Sequence, residues 1–156
     1  MVDDLKYLKI AVQQAKKSVI MGGFPAGATI VKDGEILAKG VSIGFKLKDP
    51  TSHAETSSIR KACKKLQTIN LQGATLYASL QPCLMCFCVA YWAGVSRIVY
   101  GCKKNKQMIK KGYYEGNSDI YTINRRNNHL IKIDYIGIFE NEILNLIREW
   151  EKRVVL

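Results

Sequence analysis

The spacing of apolar and polar residues along the chain predicts alternating helices and strands. Residues 4–20 carry apolar side chains three or four positions apart, which is the pattern of an amphipathic helix. Two β-rich runs within 28–41 flank Asp33-Gly34, and this dipeptide between such runs indicates a hairpin. Similar patterns predict helices at 53–66, 83–93 and 140–153, and strands at 74–80, 96–102 and 130–138.

The remaining segments show no clear periodicity. We predict a loop at 45–52 and a polar, irregular stretch with short helical turns at 103–129. No repeat or Pro/Ser-rich linker divides the chain, so we expect one domain over residues 1–156. Helices that alternate with strands after an opening hairpin predict an α/β fold, a three-layer α/β/α sandwich with a mixed five-stranded sheet.

The composition is that of an ordinary globular protein, with 47% hydrophobic and 24% charged residues. The amino-terminal segment is amphipathic and carries acidic residues early, unlike the apolar core of a signal peptide. No apolar run approaches the roughly 20 residues that cross a bilayer. We therefore expect a cytoplasmic protein with no membrane partner, whose thiols stay reduced.

The net charge is +11, from 24 Lys and Arg against 13 Asp and Glu. A surface this basic attracts nucleic acid, and the run at 103–111 concentrates five lysines. Nucleic acid or another anion is therefore a candidate partner. The alternative is that the lysines simply lie on solvated helix faces.

Three of the five cysteines lie within 83–88, directly after Pro82. Cys83 and Cys86 are three positions apart at a predicted helix start, so both sulfurs can reach one point. The helix dipole there favours thiolate, the form that binds metal. Taken alone, the pair could also be a redox couple. The other three thiols are expected to pack in the core: Cys63, Cys88 and Cys102. The second histidine, His129, is expected on the surface.

His53 and Glu55 lie upstream, at the start of another predicted helix. His-x-Glu followed by Pro-Cys-x-x-Cys is the pattern of zinc deaminases. Zn²⁺ held by His53, Cys83 and Cys86 would keep a fourth position open for water, as catalytic sites do. Glu55 would take a proton from that water and return protons to the base and the departing ammonia. The alternative for Glu55 is a capping box with Ser52 as the N-cap.

These residues, with the stretches DPTSHAE, IRKACKKL, ATLYASLQPCLMC and YWA, resemble the cytidine-deaminase-like superfamily over nearly the whole chain. They resemble its purine branch, which holds bacterial guanine deaminases and tRNA-specific adenosine deaminases. IRKACK, CLMC, YWA and the segment 112–115 are closer to the guanine deaminase type. The resemblance implies zinc on His53, Cys83 and Cys86, proton transfer by Glu55, a contact between the Ala54 N–H and the base, and a homodimer.

Three departures from the family pattern bear on the substrate. Ser42 stands where the family usually has Asn, and a hydroxyl cannot make the two-ended contact of an amide. Gln81 stands where Glu is usual. The segment 25–28 reads Pro-Ala-Gly-Ala, where guanine deaminases tend to have Pro-Phe-Gly-Ala. Glu115 or Asp119 could supply the acid that guanine recognition would want, or both could be solvated surface acids.

The sequence thus predicts hydrolytic deamination of a free purine base, with guanine as the named candidate. A tRNA-specific adenosine deaminase and a cytosine or cytidine deaminase are the alternative enzymes. An inactive zinc- or RNA-binding module is the alternative without catalysis. The presence of Glu55 argues against that module, because a structural zinc site has no need of a general base.

Overall fold

Helices and strands alternate along residues 2–154, the part of the chain that the computed structural model describes. The helices are α1 (Val2–Ile20), α2 (Gly44–Leu47), α3 (Ala54–Leu66), α4 (Leu84–Trp92), α5 (Lys106–Lys110), α6 (Ile120–Arg126) and α7 (Glu140–Val154), with a 3₁₀ turn at Gly137–Phe139. The strands are β1 (Gly27–Lys32), β2 (Glu35–Val41), β3 (Thr75–Ala78), β4 (Arg97–Tyr100) and β5 (Lys132–Tyr135). Within this described range, no helix combines the length and apolarity that a bilayer crossing requires.

The five strands form one mixed sheet in the order β2-β1-β3-β4-β5. The β1 strand pairs antiparallel with β2 and β3, whereas β3, β4 and β5 run parallel. Asp33 and Gly34 connect β1 to β2 with φ values of 51° and 78°. Positive φ at both positions is what a type I′ turn requires, so the predicted hairpin is confirmed.

Helices cover both faces of this sheet. Neighbouring residues of the central strands point to opposite faces because side chains alternate along a strand. Ile30 and Leu76 belong to the main core, which also contains buried residues of α3 and α4. Val31 and Tyr77 pack in a second cluster with residues of α1. The α/β/α sandwich predicted from the sequence is therefore confirmed.

The polar segments contain more regular structure than the sequence predicted. The stretch 45–52, predicted as a loop, is partly taken up by α2, and 103–129 contains two defined helices. Asn105 caps α5 and Asp119 caps α6, each accepting a backbone N–H through its side chain. These caps were the signals that the apolar periodicity missed. The last strand is also shorter than the predicted 130–138.

Gly40 allows β2 to lie directly against the beginning of α3. A Cβ at this position would lie 1.9 Å from the carbonyl oxygen of Ala54. Any larger residue would therefore push the strand and the helix apart. The contact holds the first turn of α3 at a fixed place relative to the sheet, and that turn carries two of the predicted site residues.

Candidate active site

His53 and Glu55 meet at the amino-terminal end of α3. His53 is the N-cap residue, with φ −77° and ψ 163°, and Glu55 is the second residue of the helix. Because His53 is still extended, the two side chains can reach the same region although they are two positions apart. The capping-box alternative is wrong, because His53 and not Ser52 is the N-cap of α3, and this helix has no side-chain cap bond among the described residues.

Cys83 and Cys86 take corresponding positions at the beginning of α4. Cys83 is the N-cap, with φ −69° and ψ 170°, and Cys86 is the third residue of the helix. The Nδ1 atom of His53 lies 3.6 Å from Sγ of Cys83 and 3.5 Å from Sγ of Cys86. The three donor atoms lie within 4.8 Å of one another. Two helix starts from different parts of the chain thus bring one nitrogen and two sulfurs together.

The spacing of these donors fits a tetrahedral zinc ion. With bonds of about 2.1 Å to nitrogen and 2.3 Å to sulfur, tetrahedral ligands lie about 3.6 Å apart. The distances from His53 to the two sulfurs match this value. Two thiolates and one imidazole are also a ligand set that zinc takes, and three ligands leave one position for water. A redox couple would not need an imidazole nitrogen at equal distance from both sulfurs.

Electrostatics at this site favour a thiolate at Cys83. The hydrogen bond from Cys86 and that from His53 lower the pKa of Cys83 to about 5, against the opposing effect of its burial. The contact with Cys83, together with burial, raises the pKa of Cys86 well above its ordinary value. The hydrogen bond with Cys83 is also the main reason why the pKa of His53 is raised. One thiolate is therefore formed readily beside the other two donors.

Glu55 is buried beside the same donors. Desolvation raises the pKa of its carboxyl group to about 7, with a further increase from the negative charge of Cys83. A carboxyl group with a pKa near neutrality can both accept and release a proton at physiological pH. The role predicted for Glu55 from the sequence, first accepting and then releasing a proton, requires this property.

A cavity of about 210 Å³ opens in front of these residues. It lies beyond the carboxyl end of β3, where the parallel part of an α/β sheet commonly binds ligands. Its lining consists of Phe24, Ala26, Ser42, His53, Glu55, Leu80, Gln81, Cys83, Gly112, Tyr113 and Tyr114. The sequence analysis missed the aromatic walls at Phe24, Tyr113 and Tyr114, because they come from loop segments without periodicity.

The other predicted site residues divide into two groups. Ser42 lines the cavity, and Ala54 lies between His53 and Glu55 as the first residue of α3. Glu115 is exposed, and its carboxylate accepts the backbone N–H of Leu84 at 2.8 Å at the beginning of α4. Asp119 is exposed and caps α6. The structure does not bring either acid into the lining of the cavity.

The remaining thiols and the second histidine lie away from the site. Cys102 is buried and Cys63 is half-buried, and both belong to or pack against the main core. The prediction that Cys88 is a core thiol is wrong, since its side chain is exposed. Cys88 lies on the side of α4 that faces away from the metal ligands, as expected, but that side faces solvent and not the core. His129 is exposed, as predicted, and stacks on Tyr91 with 4.1 Å between ring centroids.

Residues 1–102 match the model of the cytidine and deoxycytidylate deaminase zinc-binding region. The chain belongs to this family of zinc deaminases. The matched region includes the three metal-donor residues and Glu55. The zinc deaminase is a hydrolase that acts on a nucleobase or nucleoside, and its cofactor is Zn²⁺.

Relatives of this deaminase include enzymes for two kinds of substrate. A tRNA-specific adenosine deaminase of Aquifex aeolicus (strain VF5) is 33% identical over 150 residues, which cover 95% of this chain and 93% of the relative. A guanine deaminase of Bacillus subtilis (strain 168) is 45% identical over 98 residues, or 62% of this chain and 63% of the relative.

A solved structure of a tRNA:A34 deaminase superposes with a TM-score of 0.78 at 27% identity, covering 91% of this chain and 99% of the other. The match to the Aquifex aeolicus enzyme and this structural match each extend over nearly the whole of both chains. The guanine preference expected from the sequence is therefore unsupported, and the tRNA alternative is the better supported of the two.

Proposed function

We propose that this deaminase converts adenosine to inosine within RNA, with tRNA as the substrate class. The observation that carries the proposal is a groove of about 640 Å³ that adjoins the catalytic cavity. The groove and the cavity share three lining residues, Phe24, Ser42 and His53. A free base needs only the small cavity. A base that is still part of a polynucleotide needs a continuous path for its neighbours.

The chemistry of the groove suits unstacked nucleotides. Phe45 lines it with 88% of its surface exposed, and Trp150 of α7 also lines it. Single-stranded nucleic acids stack their bases on such aromatic faces. Lys46 and Lys48 both follow Phe45 in sequence, and the Lys48 ammonium lies 5.6 Å from the Phe45 ring centroid. An aromatic platform with cations at its edge can hold a base and its phosphate together.

The basic run at 103–111 offers fewer free lysines for binding RNA than the sequence predicted. Lys104 donates to the backbone oxygens of Gly116 and Ser118. Lys103 lies over the Tyr135 ring at 4.3 Å, and Lys111 pairs with Glu151 at 2.7 Å. Three of the five lysines in the run thus have partners within the protein. The net charge of +11 favours RNA, but the groove beside Phe45 supports the proposal better than this run does.

The proposed catalytic roles follow from the positions of the side chains. Zinc held by His53, Cys83 and Cys86 would acidify a water molecule that serves as the nucleophile. Glu55 would take one proton from that water as the oxygen attacks the carbon that bears the amine, and would pass it to the adjacent ring nitrogen. It would then move the second proton of the added oxygen to the amine, which leaves as ammonia while the carbonyl forms. Ser42 and the Ala54 N–H would hold the base.

A single set of RNA assays tests the proposal. The zinc-loaded protein should form inosine in an anticodon stem-loop RNA, and the rate at low RNA concentration should fall steeply with salt. Glu55→Ala should lower kcat by about 100- to 10,000-fold while zinc content stays unchanged. Phe45→Ala should raise KM for the RNA by about 5- to 100-fold and leave any activity on free adenosine unchanged.

Leu47→Ala is the matched control for Phe45→Ala. Leu47 lies on the same short helix and is 55% exposed, but it does not line the groove. Its replacement should leave both substrates unaffected. Equal effects of the two substitutions, or ammonia release from free bases with none from RNA, would contradict the proposal.

Guanine deamination is the second candidate function. It is favoured by the 45% identity to the Bacillus subtilis guanine deaminase, which is higher than the identity to the tRNA-specific relative but covers a shorter part of both chains. Ammonia release from guanine, measured beside inosine formation in RNA, separates the two candidates. Turnover of guanine without turnover of RNA would establish the second.

Three further expectations from the sequence remain proposals. We propose that residues 1–156 act as one deaminase domain, and that the enzyme works as a homodimer, as its family resemblance implies. We also propose a cytoplasmic location, because a site built on free thiols requires reducing conditions. Light scattering of the zinc-loaded protein tests the dimer, and a monomer that is fully active would contradict it.

A further inference from the structure

The side chain of Gln81 has one end occupied by the protein and one end free. Gln81 lies between β3 and the metal-donor residue Cys83, and only 8% of its surface is exposed. Its Oε1 accepts the backbone N–H of Lys104 at 3.1 Å. Because a backbone N–H can only donate, the atom facing it must be the amide oxygen. The orientation of the carboxamide is therefore determined, and its nitrogen lies at the other end.

The Gln81 nitrogen has no acceptor among the described residues, and it is not sealed inside the protein. In residues 2–154, every side-chain nitrogen or oxygen that is completely buried has a hydrogen-bond partner. An unpartnered nitrogen on a buried residue must therefore reach accessible space. Gln81 lines the catalytic cavity together with Glu55 and Cys83. The cavity is therefore the accessible space next to this side chain.

We propose that Gln81 is a specificity-determining residue, whose carboxamide nitrogen donates a hydrogen bond to a ring nitrogen of the bound purine. A donor fixed in a small cavity favours a substrate that presents an acceptor and disfavours one that does not. The acceptors N3 and N7 are present in both adenine and guanine. The inference rests on the proposed purine deamination, but it does not depend on which purine is the substrate.

Two substitutions separate this role from a purely structural one. In Gln81→Glu, a carboxylate oxygen can still accept the Lys104 N–H, but the side chain no longer has a donor. In Gln81→Met, both contacts are lost at similar volume. Gln81→Glu should therefore keep the melting temperature of the wild type while changing substrate recognition. Gln81→Met should lower the melting temperature as well.

Deaza substrates identify the acceptor. Anticodon stem-loop RNAs would carry adenosine, 7-deazaadenosine or 3-deazaadenosine at the target position. The wild type should lose about 10- to 100-fold in kcat/KM on the analogue that lacks the acceptor. Gln81→Glu should lose a similar factor on adenosine and show no additional loss on that analogue. For an analogue that is not turned over, its Ki against the adenosine RNA replaces kcat/KM.

Failure of this inference can be told apart from failure of the proposed function. If the wild type deaminates guanine and not RNA, the same comparison is made with guanine, 7-deazaguanine and 3-deazaguanine. That result contradicts the RNA proposal and leaves the role of Gln81 to be decided by the deaza comparison. Unchanged kinetics in Gln81→Glu would overturn the role of Gln81. The same conclusion would follow if, for each analogue, the loss in kcat/KM of the variant equalled the product of the loss from the substitution and the loss from the analogue.

Discussion

The hydroxyl of Ser18 joins two walls of the catalytic cavity. Ser18 is completely buried near the end of α1. Its Oγ donates to the carbonyl oxygen of Ala26 at 2.6 Å and accepts the N–H of Ser42 at 2.9 Å. Ala26 and Ser42 both line the cavity. The substitution Ser18→Ala removes one oxygen and leaves both backbone groups without their partner in the interior.

The expected loss of stability follows from those two groups. An unpartnered buried donor or acceptor costs about 1–3 kcal/mol. Allowing for small shifts, Ser18→Ala should lower the free energy of unfolding by about 2–4 kcal/mol. In a chain of this length, each kcal/mol corresponds to about 2–4 °C, so the melting temperature should fall by about 5–15 °C. KM should also rise because the two walls are no longer joined, while zinc content should stay unchanged.

Urea denaturation of the zinc-loaded protein measures this effect, and Ser58→Ala is its control. Ser58 is also completely buried, but its hydroxyl donates only to the carbonyl oxygen of Glu55, one turn earlier in the same helix. That carbonyl lies within the backbone ladder of α3, so the control should lose less than about 1 kcal/mol. A loss below about 0.5 kcal/mol for Ser18→Ala, or equal losses in the two variants, would refute the reasoning.

Four further substitutions test other parts of the structure. Gly40→Ala places a methyl group against a backbone oxygen at 1.9 Å, so stability should fall by about 1–3 kcal/mol and zinc affinity should fall with it; wild-type zinc affinity would contradict this. The hydrogen bond from Arg97 holds the pKa of Asp4 below 3.8. Its stabilisation is present above that pH and is lost as pH falls through the lower folded-state pKa, so Asp4→Asn should lower the urea midpoint at pH 7 and approach the wild type below about pH 4. Cys88→Ser should keep full zinc content, whereas Cys83→Ser should lose it.

The metal-binding half of the site could be predicted because its information is local. His53 and Cys83 each begin a helix, and the spacing to Glu55 and Cys86 determines which side chains converge. The direction of Cys88 depended instead on which side of α4 the rest of the protein covers. That is a property of the layers and not of the helix, so the sequence interpretation placed this thiol in the core incorrectly.

The substrate-binding half was harder to predict for a related reason. Phe24 and Tyr113 reach the cavity from loops that are far apart in sequence, and they pack on each other and on Trp150. No periodicity marks such residues. Gln81 was visible only as an unusual residue before the Pro-Cys pair, and its orientation depends on a backbone N–H of a later segment.

The positions of the metal donors have a consequence for the order of the chain without its metal. His53 and Cys83 are the N-cap residues of α3 and α4, and neither forms a side-chain cap bond. A helix without such a bond is less stable at its start by about 0.5–2 kcal/mol. Zinc would therefore cross-link two weakened helix starts, one that follows the antiparallel hairpin and one that connects two parallel strands. We expect chelation to accelerate amide hydrogen exchange at both starts together, so that metal supply sets how much of the population has a formed active site.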